Sequence, residues 1–156
     1  MSPLRQLAYV STISIGLTKA AERSIVGVAK RNNRRSGLTG IIASSGRHFL
    51  QVVEGSSGAI DELFAKLLVD PRHCDVRVLF DRAVTERKYA NWSMGYVFNL
   101  DLADELRSLH SGEAKMEPEE LLSKYQLDEY TDVAFGRISS FGQFTQTPEF
   151  DRPKMT

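Results

Sequence analysis

The sequence predicts an α+β protein of the ferredoxin-like class, in which two helices pack on one face of a mixed five-stranded sheet. Two observations lead to this class. The predicted segments follow the order β, α, β, β, α, β, β, and the central pair of strands forms a hairpin. A length of 156 residues with 42% hydrophobic residues suits one domain with its own core.

The first strand and the first helix are predicted within the first 33 residues. Side chains alternate over residues 4–12, so Leu7 and Tyr9 share one face of a strand. Thr18 can cap a helix that ends near Asn33. The helix has apolar residues at the i, i+4, i+7 spacing, namely Ala21, Ile25 and Val28.

The clearest element is a hairpin over residues 38–54. It consists of LTGIIAS, the turn residues Ser45 and Gly46, and RHFLQVVEG. Apolar residues occupy both faces of the second strand, so neither face is polar enough to lie against water. A further layer is therefore expected on the side of the sheet away from the two helices.

A second helix and two more strands complete the predicted sheet. The helix follows Ser56 and Ser57 and stops at Asp70, which precedes a proline. Its apolar stripe comprises Ile60, Leu63, Phe64, Leu67 and Leu68. The strands are predicted at residues 76–82 and 91–98.

The C-terminal third is expected to supply the layer on the opposite face. Apolar residues mark two short amphipathic helices there. They are Leu102, Leu106 and Leu109 in the first and Leu121, Leu122 and Tyr125 in the second. We therefore expect a domain over residues 1–98, a helical cap over 99–135 and a flexible tail over 136–156, which is rich in Ser, Thr, Gly and Gln.

Charge balance and cysteine content exclude several classes of protein. The 20 basic and 20 acidic residues argue against nucleic-acid binding. A basic cluster is interpreted as a solvated helix end, with a binding patch as the alternative; it comprises Lys30, Arg31, Arg34 and Arg35. Cys74 has no partner for an internal disulfide, and with His48 and His73 it shows no metal-ligand spacing. Without a signal peptide or a run of roughly 18 apolar residues, we expect a soluble, cytoplasmic protein that contacts no membrane.

Polar and aromatic residues interrupt the aliphatic pattern on the face that the two helices cover. They are Tyr9, Gln51, Trp92 and Met94 on strands, and Asn32 and Asn33 at the helix end. Each one alone fits a core residue with a satisfied polar group, because an unsatisfied buried group costs about 1–3 kcal/mol. Together they fit a site for a planar heterocycle such as a flavin, with amides for its polar edge and Ile25 and Leu67 against its faces.

Five segments between residues 4 and 98 carry a distinctive pattern at matching spacing. They are LAYVST, RNN followed by SGLTG, FLQVVEG, DPRH and NWSMGY. In these segments the sequence resembles the BLUF family, flavin-binding sensors of blue light. The resemblance implies non-covalent binding of FAD between the two helices, with Tyr9 and Gln51 as the photoactive pair. It also implies that Asn33 binds the flavin ring and that Asn32 occupies the neighbouring contact position.

The resemblance further implies a switch driven by light, without enzymatic turnover. Tyr9 would give up an electron and a proton through Gln51, whose side chain then rotates or tautomerises and rearranges the hydrogen bonds to the ring. Trp92 and Met94 match a pair on the family's last strand and would relay this change to the C-terminal helices, with Trp92 either against the flavin or facing solvent. No recognisable output domain follows, so we expect signalling to a separate protein or through a homo-oligomer. Two cations near the second helix could approach the FAD phosphates or be solvated; they are Lys66 and Arg72.

Two other functions stay open as alternatives on this fold. A hydrolase similar to acylphosphatase needs an arginine in a glycine-rich loop before the first helix, and the connection STISIGLTK has none. A light-insensitive ligand-binding or interaction module does not need Tyr9, Gln51 and Asn33 together. The photoreceptor is therefore the favoured prediction.

Overall fold

The computed structural model describes residues 3–123, which form the predicted α+β fold. The strands are β1 (Leu4–Ile13), β2 (Thr39–Ser44), β3 (His48–Ser56), β4 (His73–Val84) and β5 (Gly95–Phe98). The helices are α1 (Lys19–Ser36), α2 (Ser57–Leu68), α3 (Ala103–Ser111) and α4 (Pro118–Ser123), with a 3₁₀ turn at Leu100–Leu102. The predicted tail over residues 136–156, and Tyr125 of the last predicted helix, lie outside the described residues.

The sheet has the strand order β4-β1-β3-β2-β5. β1 pairs antiparallel with both β3 and β4, and β2 pairs antiparallel with β3. β5 adds to the edge of β2 in parallel, which makes the sheet mixed as predicted. The strand that carries Gln51 therefore lies at the centre of the sheet.

Helices α1 and α2 begin at residues that suit helix N-termini. The Thr18 hydroxyl accepts a hydrogen bond from the Ala21 amide at 3.0 Å, and the Ser56 hydroxyl accepts one from the Ala59 amide at 3.3 Å. α1 ends at Gly37, whose φ of 74° lies in the left-handed region that glycine adopts without strain. Both helix starts match the sequence-based prediction.

Two hydrophobic cores lie on opposite faces of the sheet. The first joins β-strand residues to α1 and α2, and its buried members include Leu7, Val26, Val53, Ile60 and Met94. The second joins the other face to α3 and α4, and its buried members include Val10, Leu50, Leu106, Leu109 and Leu121. The expected C-terminal helical layer on the opposite face is therefore confirmed for the described residues.

The fifth strand is shorter than predicted. It begins at Gly95 rather than at residue 91, because the preceding backbone pairs with α1 and β2 instead of extending the strand. The Gly40 amide donates to the Trp92 carbonyl oxygen at 2.9 Å, and the Asn33 side chain donates to the Ser93 carbonyl oxygen at 2.7 Å. Regular alternation is lost before Gly95.

The inner face of α1 also differs from the predicted apolar stripe. Its buried residues are Glu22, Val26 and Asn33, whereas Ile25 is half-buried and Val28 is exposed. The helix is rotated because two polar side chains on its inner face have partners on or beside β5, which hydropathy alone does not reveal. Among residues 3–123, no helix combines the length and the apolar character needed to cross a membrane.

Candidate functional site

Tyr9 and Gln51 lie directly opposite each other on β1 and β3, and both side chains are buried below α1 and α2. The Tyr9 hydroxyl donates a hydrogen bond to Gln51 Oε1. On its other end, Gln51 Nε2 donates to the thioether of Met94 at 3.7 Å. A thioether is a weak acceptor, so the amide can donate more strongly to a carbonyl oxygen that comes within reach.

The surroundings of Tyr9 keep its phenol protonated. Burial raises the pKa of Tyr9 above its ordinary value, and the negative charge of Asp70 raises it further. The ring is packed against Phe64, with ring centroids 6.5 Å apart, and meets the edge of His73 at 6.1 Å. Tyr9 is therefore a neutral hydrogen-bond donor at physiological pH.

His73 is a buried residue of this site that the sequence analysis considered only as a metal ligand, and set aside. Its Nε2 lies 2.7 Å from the Leu67 carbonyl oxygen, and its Nδ1 lies 2.7 Å from the Ser11 hydroxyl. Because a carbonyl oxygen only accepts, Nε2 carries a proton and donates to Leu67, while Nδ1 shares a hydrogen bond with the Ser11 hydroxyl. The sequence contained one sign of a polar partner here: alternation places the hydroxyl of Ser11 on the same buried face as Tyr9, where it needs a hydrogen-bond partner.

The end of α1 brings Asn33 to the segment before β5. The Asn33 side chain is 1% exposed, and its Nδ2 donates to the Ser93 carbonyl oxygen, one residue before Met94. Asn33 is thus bonded to the backbone next to Met94, which accepts the hydrogen bond from Gln51. Asn32 points the other way and is exposed.

The remaining candidate residues are spread around the two helices. Ile25 on α1 and Leu67 on α2 are half-buried. Lys66 is exposed. The Arg72 guanidinium is paired with the Asp70 carboxylate, at 2.9 Å from Nε to Oδ1 and 2.6 Å from Nη2 to Oδ2.

The prediction that Trp92 shares the α1 and α2 face with Met94 is wrong. Trp92 is stacked on Tyr89, with ring centroids 5.5 Å apart, and both rings pack against the core shared with α3 and α4. Met94 is fully buried in the core on the other face. Two residues that were assigned to one strand face therefore contact opposite layers.

A second buried polar pair lies on the same face as Tyr9. The Tyr96 hydroxyl on β5 donates to Glu22 Oε1 of α1 at 2.5 Å. Burial raises the pKa of Glu22, although the hydrogen bonds from Tyr96 and Ser44 oppose this rise. The pair ties the start of α1 to β5. Sequence analysis missed it, although Glu22 stands out beside the apolar Ala21 and Ile25.

Comparison with known protein families identifies the family of this chain. The family model for BLUF, described as sensors of blue-light using FAD, matches residues 4–95. The chain belongs to the BLUF family. The match includes the three hydrogen-bonded residues Tyr9, Gln51 and Met94, which therefore lie within the BLUF sensor module.

The curated BLUF relatives include much longer proteins. The chain is 37% identical over 93 residues to the photoactivated adenylate cyclase subunit alpha of Euglena gracilis, which covers 58% of this chain and 9% of the relative. It is 36% identical over 64 residues to the blue light- and temperature-regulated antirepressor BluF of Escherichia coli K12, covering 40% of this chain and 16% of the relative. The chain thus spans less than a fifth of each of these two relatives.

Solved BLUF structures share the fold over most of the chain. The dark-state structure of the BLUF protein BlrB has a TM-score of 0.66 at 30% identity, covering 81% of this chain and 96% of that one. The ground-state structure of BlsA has a TM-score of 0.62 at 25% identity, covering 79% of this chain and 85% of that one. The fold assigned from the sequence is confirmed.

The residues of this BLUF site fit a flavin ring. Gln51 Nε2 donates to a weak sulfur acceptor, and the buried amide of Asn33 lies on the same side of the sheet. The half-buried Ile25 and Leu67 could supply apolar contact from the two helices. Amide donors together with aliphatic walls match the polar edge and apolar faces of an isoalloxazine. Within residues 3–123, no cluster of three His, Cys, Asp or Glu side chains is arranged to hold a metal ion.

Proposed function

We propose that the chain is a blue-light photoreceptor that binds FAD non-covalently between α1 and α2. The observation that carries this proposal is the buried chain from the Tyr9 hydroxyl through the Gln51 amide to Met94. It places an oxidisable phenol next to an amide that has both a donor and an acceptor end. The family's description as FAD-using sensors supports the choice of cofactor.

The residues that would hold the flavin come from both helices. The Asn33 amide would bind the polar edge of the ring, with the exposed Asn32 as its neighbour, while Ile25 and Leu67 would contact the ring faces. Two cations near the end of α2 would attract the phosphates; they are Lys66 and Arg72. Because Arg72 is paired with Asp70, it would have to share or exchange that partner.

Light would act through Tyr9 and Gln51. A bound flavin supplies the absorption of blue light and, when excited, a strong tendency to accept an electron and a proton. Tyr9 is the donor of both, since its phenol is protonated and its proton already points at Gln51 Oε1. Gln51 would pass the proton on, both the electron and the proton would then return to Tyr9, and the Gln51 amide would be left rotated or tautomerised, with its donor and acceptor ends exchanged. The chain therefore acts as a switch between two hydrogen-bond arrangements rather than as an enzyme.

The signal would leave through the segment before β5. Met94 contacts Gln51 on one face, while Trp92, two residues earlier, packs on the core of the C-terminal helices. A change at Gln51 can thus bias how α3 and α4 are held. The recipient would be a separate signalling protein or a second copy of this chain.

An absorption experiment tests this function. The purified protein is mixed with FAD, freed of unbound flavin, and measured in the dark and under blue light. We expect a bound flavin spectrum that shifts slightly to longer wavelength in light and recovers in the dark. A protein that retains no flavin would instead favour a light-insensitive interaction module. Parallel loading with FMN tests whether the chain distinguishes the two flavins.

A further inference from the structure

Glu54 is a fully buried carboxylate for which the proposed photochemistry has no use. It lies three residues beyond Gln51 on β3, so its side chain points to the opposite face of the sheet. Gln6 on β1 and Thr39 on β2 lie directly opposite it on the two neighbouring strands. A charge in the middle of a sheet is costly unless it is paired or hydrogen-bonded, so its partners define its role.

Four hydrogen bonds reach the Glu54 carboxylate from the described residues, and each comes from a donor. Its Oε2 accepts from Gln6 Nε2 at 2.8 Å and from the Lys88 amide at 2.6 Å. Its Oε1 accepts from the Thr39 hydroxyl at 3.1 Å and from the Tyr89 amide at 2.9 Å. The Gln6 amide is held in this orientation because its Oε1 accepts from the guanidinium of Arg82. Carboxylates that accept several N–H donors hold those donors more strongly than neutral groups do.

Two of these donors belong to the segment over residues 85–94, which we call the crossing segment because it contacts both faces of the sheet. Its Tyr89 and Trp92 rings pack on the α3 and α4 side, and Met94 lies in the core of the α1 and α2 side. Arg87 adds a bond from its guanidinium to the Glu54 carbonyl oxygen at 3.2 Å. Glu54 is therefore the strand residue to which the middle of the crossing segment is attached.

The same network continues to the C-terminal helix. Lys88 forms an ion pair with Glu119 of α4 at 3.1 Å, and Arg82 forms one with Glu117 at 3.0 Å. These pairs are exposed and contribute little stability on their own. Their importance here is positional. Lys88 is bound to Glu54 by its backbone amide, and its side chain reaches Glu119 of α4.

We propose that Glu54 is a positioning residue of the light response, which fixes the crossing segment between Gln51 on one face and the C-terminal helices on the other. This inference rests on the proposed photoreceptor function. Without the carboxylate, the crossing segment would keep the bond from Arg87 to the Glu54 carbonyl oxygen but lose the two bonds from its Lys88 and Tyr89 amides. A movement of Met94 would then no longer be passed to α4 in a defined direction. Glu54 itself touches neither Tyr9 nor Gln51.

The test compares Glu54→Gln with Glu86→Gln. Glutamine preserves the shape of residue 54 but turns one accepting oxygen into an N–H donor that faces other donors. Glu86 lies in the same crossing segment and is exposed, so its substitution is a matched control for charge and composition. Each protein is loaded with FAD, and hydrogen exchange is followed by mass spectrometry in the dark and under steady blue light.

We expect Glu54→Gln to bind flavin and to show the light-induced spectral shift, since the ring site is unchanged. In the dark, the amides of Lys88 and Tyr89 should exchange at least about fivefold faster than in the wild type. The lifetime of the shifted spectrum should change by about twofold or more. The difference in exchange between light and dark at residues 118–123 should fall by about half or more. Glu86→Gln should match the wild type in all these measurements.

The outcomes separate this inference from the proposed function. If the wild type shows no light-induced shift, the photoreceptor proposal fails, whereas a loss of protection at Lys88 and Tyr89 in the dark would still establish the attachment. If the wild type is photoactive and Glu54→Gln matches it in lifetime and in exchange at α4, the inference is overturned. Should Glu54→Gln not fold, Thr39→Val removes one of the four donors, and the same changes should appear in smaller size. Wild-type behaviour of a folded Thr39→Val would then count against the role of Glu54.

Discussion

Tyr9 and Tyr96 lie in one row across the sheet, on the face that α1 and α2 cover, with Gln51 and Ile42 between them. Both phenols are buried, and burial is the main cause that raises the pKa of each. They differ in their acceptor: Tyr9 donates to the amide of Gln51, whereas Tyr96 donates to the carboxyl group of Glu22. Tyr96 is therefore a built-in control for Tyr9: a buried tyrosine on the same face that donates to a different acceptor.

Tyr9→Phe is expected to bind flavin and to lose the light-induced shift. Phenylalanine fills the same space but has no hydroxyl to give a proton to Gln51. The loss of one buried hydrogen bond should cost about 1 kcal/mol of unfolding free energy, too little to prevent folding. The measurement is the difference between the dark and illuminated absorption spectra of the loaded protein.

Tyr96→Phe serves as the matched variant. It also removes one buried hydroxyl and should cost a similar free energy, yet its light-induced shift should persist. A shift that survives in Tyr9→Phe would remove Tyr9 from the mechanism. Loss of the shift in both variants would indicate that the two tyrosines act through the packing of the sheet.

Met94→Leu tests the weak acceptor beside Gln51. The substitution nearly conserves volume and should cost less than about 1.5 kcal/mol, but it removes the sulfur that accepts from Gln51 Nε2. A hydrogen bond at the weak end of the usual range should change the recovery rate of the shifted spectrum by about two- to fivefold. Met116→Leu, a half-buried methionine on the other face, should leave the recovery rate unchanged. Equal effects from both variants would contradict a specific role for Met94.

The sequence was sufficient to place Tyr9 and Gln51 on the face that the helices cover, because short-range rules decide it, whereas their pairing was implied by the resemblance to the BLUF family. Strand alternation puts each side chain on the helix-covered face, and the hairpin makes β3 the neighbour of β2. The alignment of Tyr9 with Gln51 across β1 and β3 then follows from burying the apolar residues on either side. The placement of the C-terminal leucines on the opposite face follows from the same need to cover apolar surface.

The positions of Trp92, Glu22 and Glu54 could not be predicted in the same way. Alternation assumes a regular strand, whereas hydrogen bonds from distant residues make the backbone before Gly95 irregular and send Trp92 to the other face. Glu22 and Glu54 are buried because their donors come from segments far away in the sequence. Hydropathy has no information about such partners. A charged residue within an apolar alternation was the available sign that partners must exist.

Gly40→Ala is expected to destabilise the sheet strongly. A Cβ atom at Gly40 would lie 2.1 Å from the Val52 carbonyl oxygen of the neighbouring strand, a distance that requires the backbone to move. We expect a loss of about 3 kcal/mol or more in unfolding free energy, with Tm lower by about 6 °C or more.

Gly58→Ala is the control for this substitution. Gly58 lies in the first turn of α2, and a Cβ atom there meets no other atom within 4 Å. Alanine should stabilise this helix by about 0.5–1 kcal/mol. Thermal unfolding of both variants measures the contrast, and equal Tm values would refute the close approach at Gly40.

The stability of the contact between the sheet and α3 is expected to fall at acidic pH through His48. Burial lowers the pKa of His48, and the nearby positive charges of His110, Arg47 and Arg107 lower it further. Its Nδ1 is buried, and no group among residues 3–123 forms a hydrogen bond with it. The unfolded chain therefore binds a proton at His48 more readily than the folded chain does. Stability linked to this residue is complete above the ordinary histidine pKa of about 6.5 and decreases as the pH falls below it.

His48→Gln isolates this contribution, because glutamine does not titrate. Urea unfolding at about pH 7.5 and about pH 5.5 gives the free energy of the wild type and of the variant. The wild type should lose more stability on acidification than His48→Gln does. Arg47→Gln, which retains the histidine but removes one charge that opposes its protonation, should lie between the two. Identical pH dependence in the wild type and His48→Gln would mean that His48 is protonated as easily in the folded chain as in the unfolded one, and would exclude it as a source of acid sensitivity.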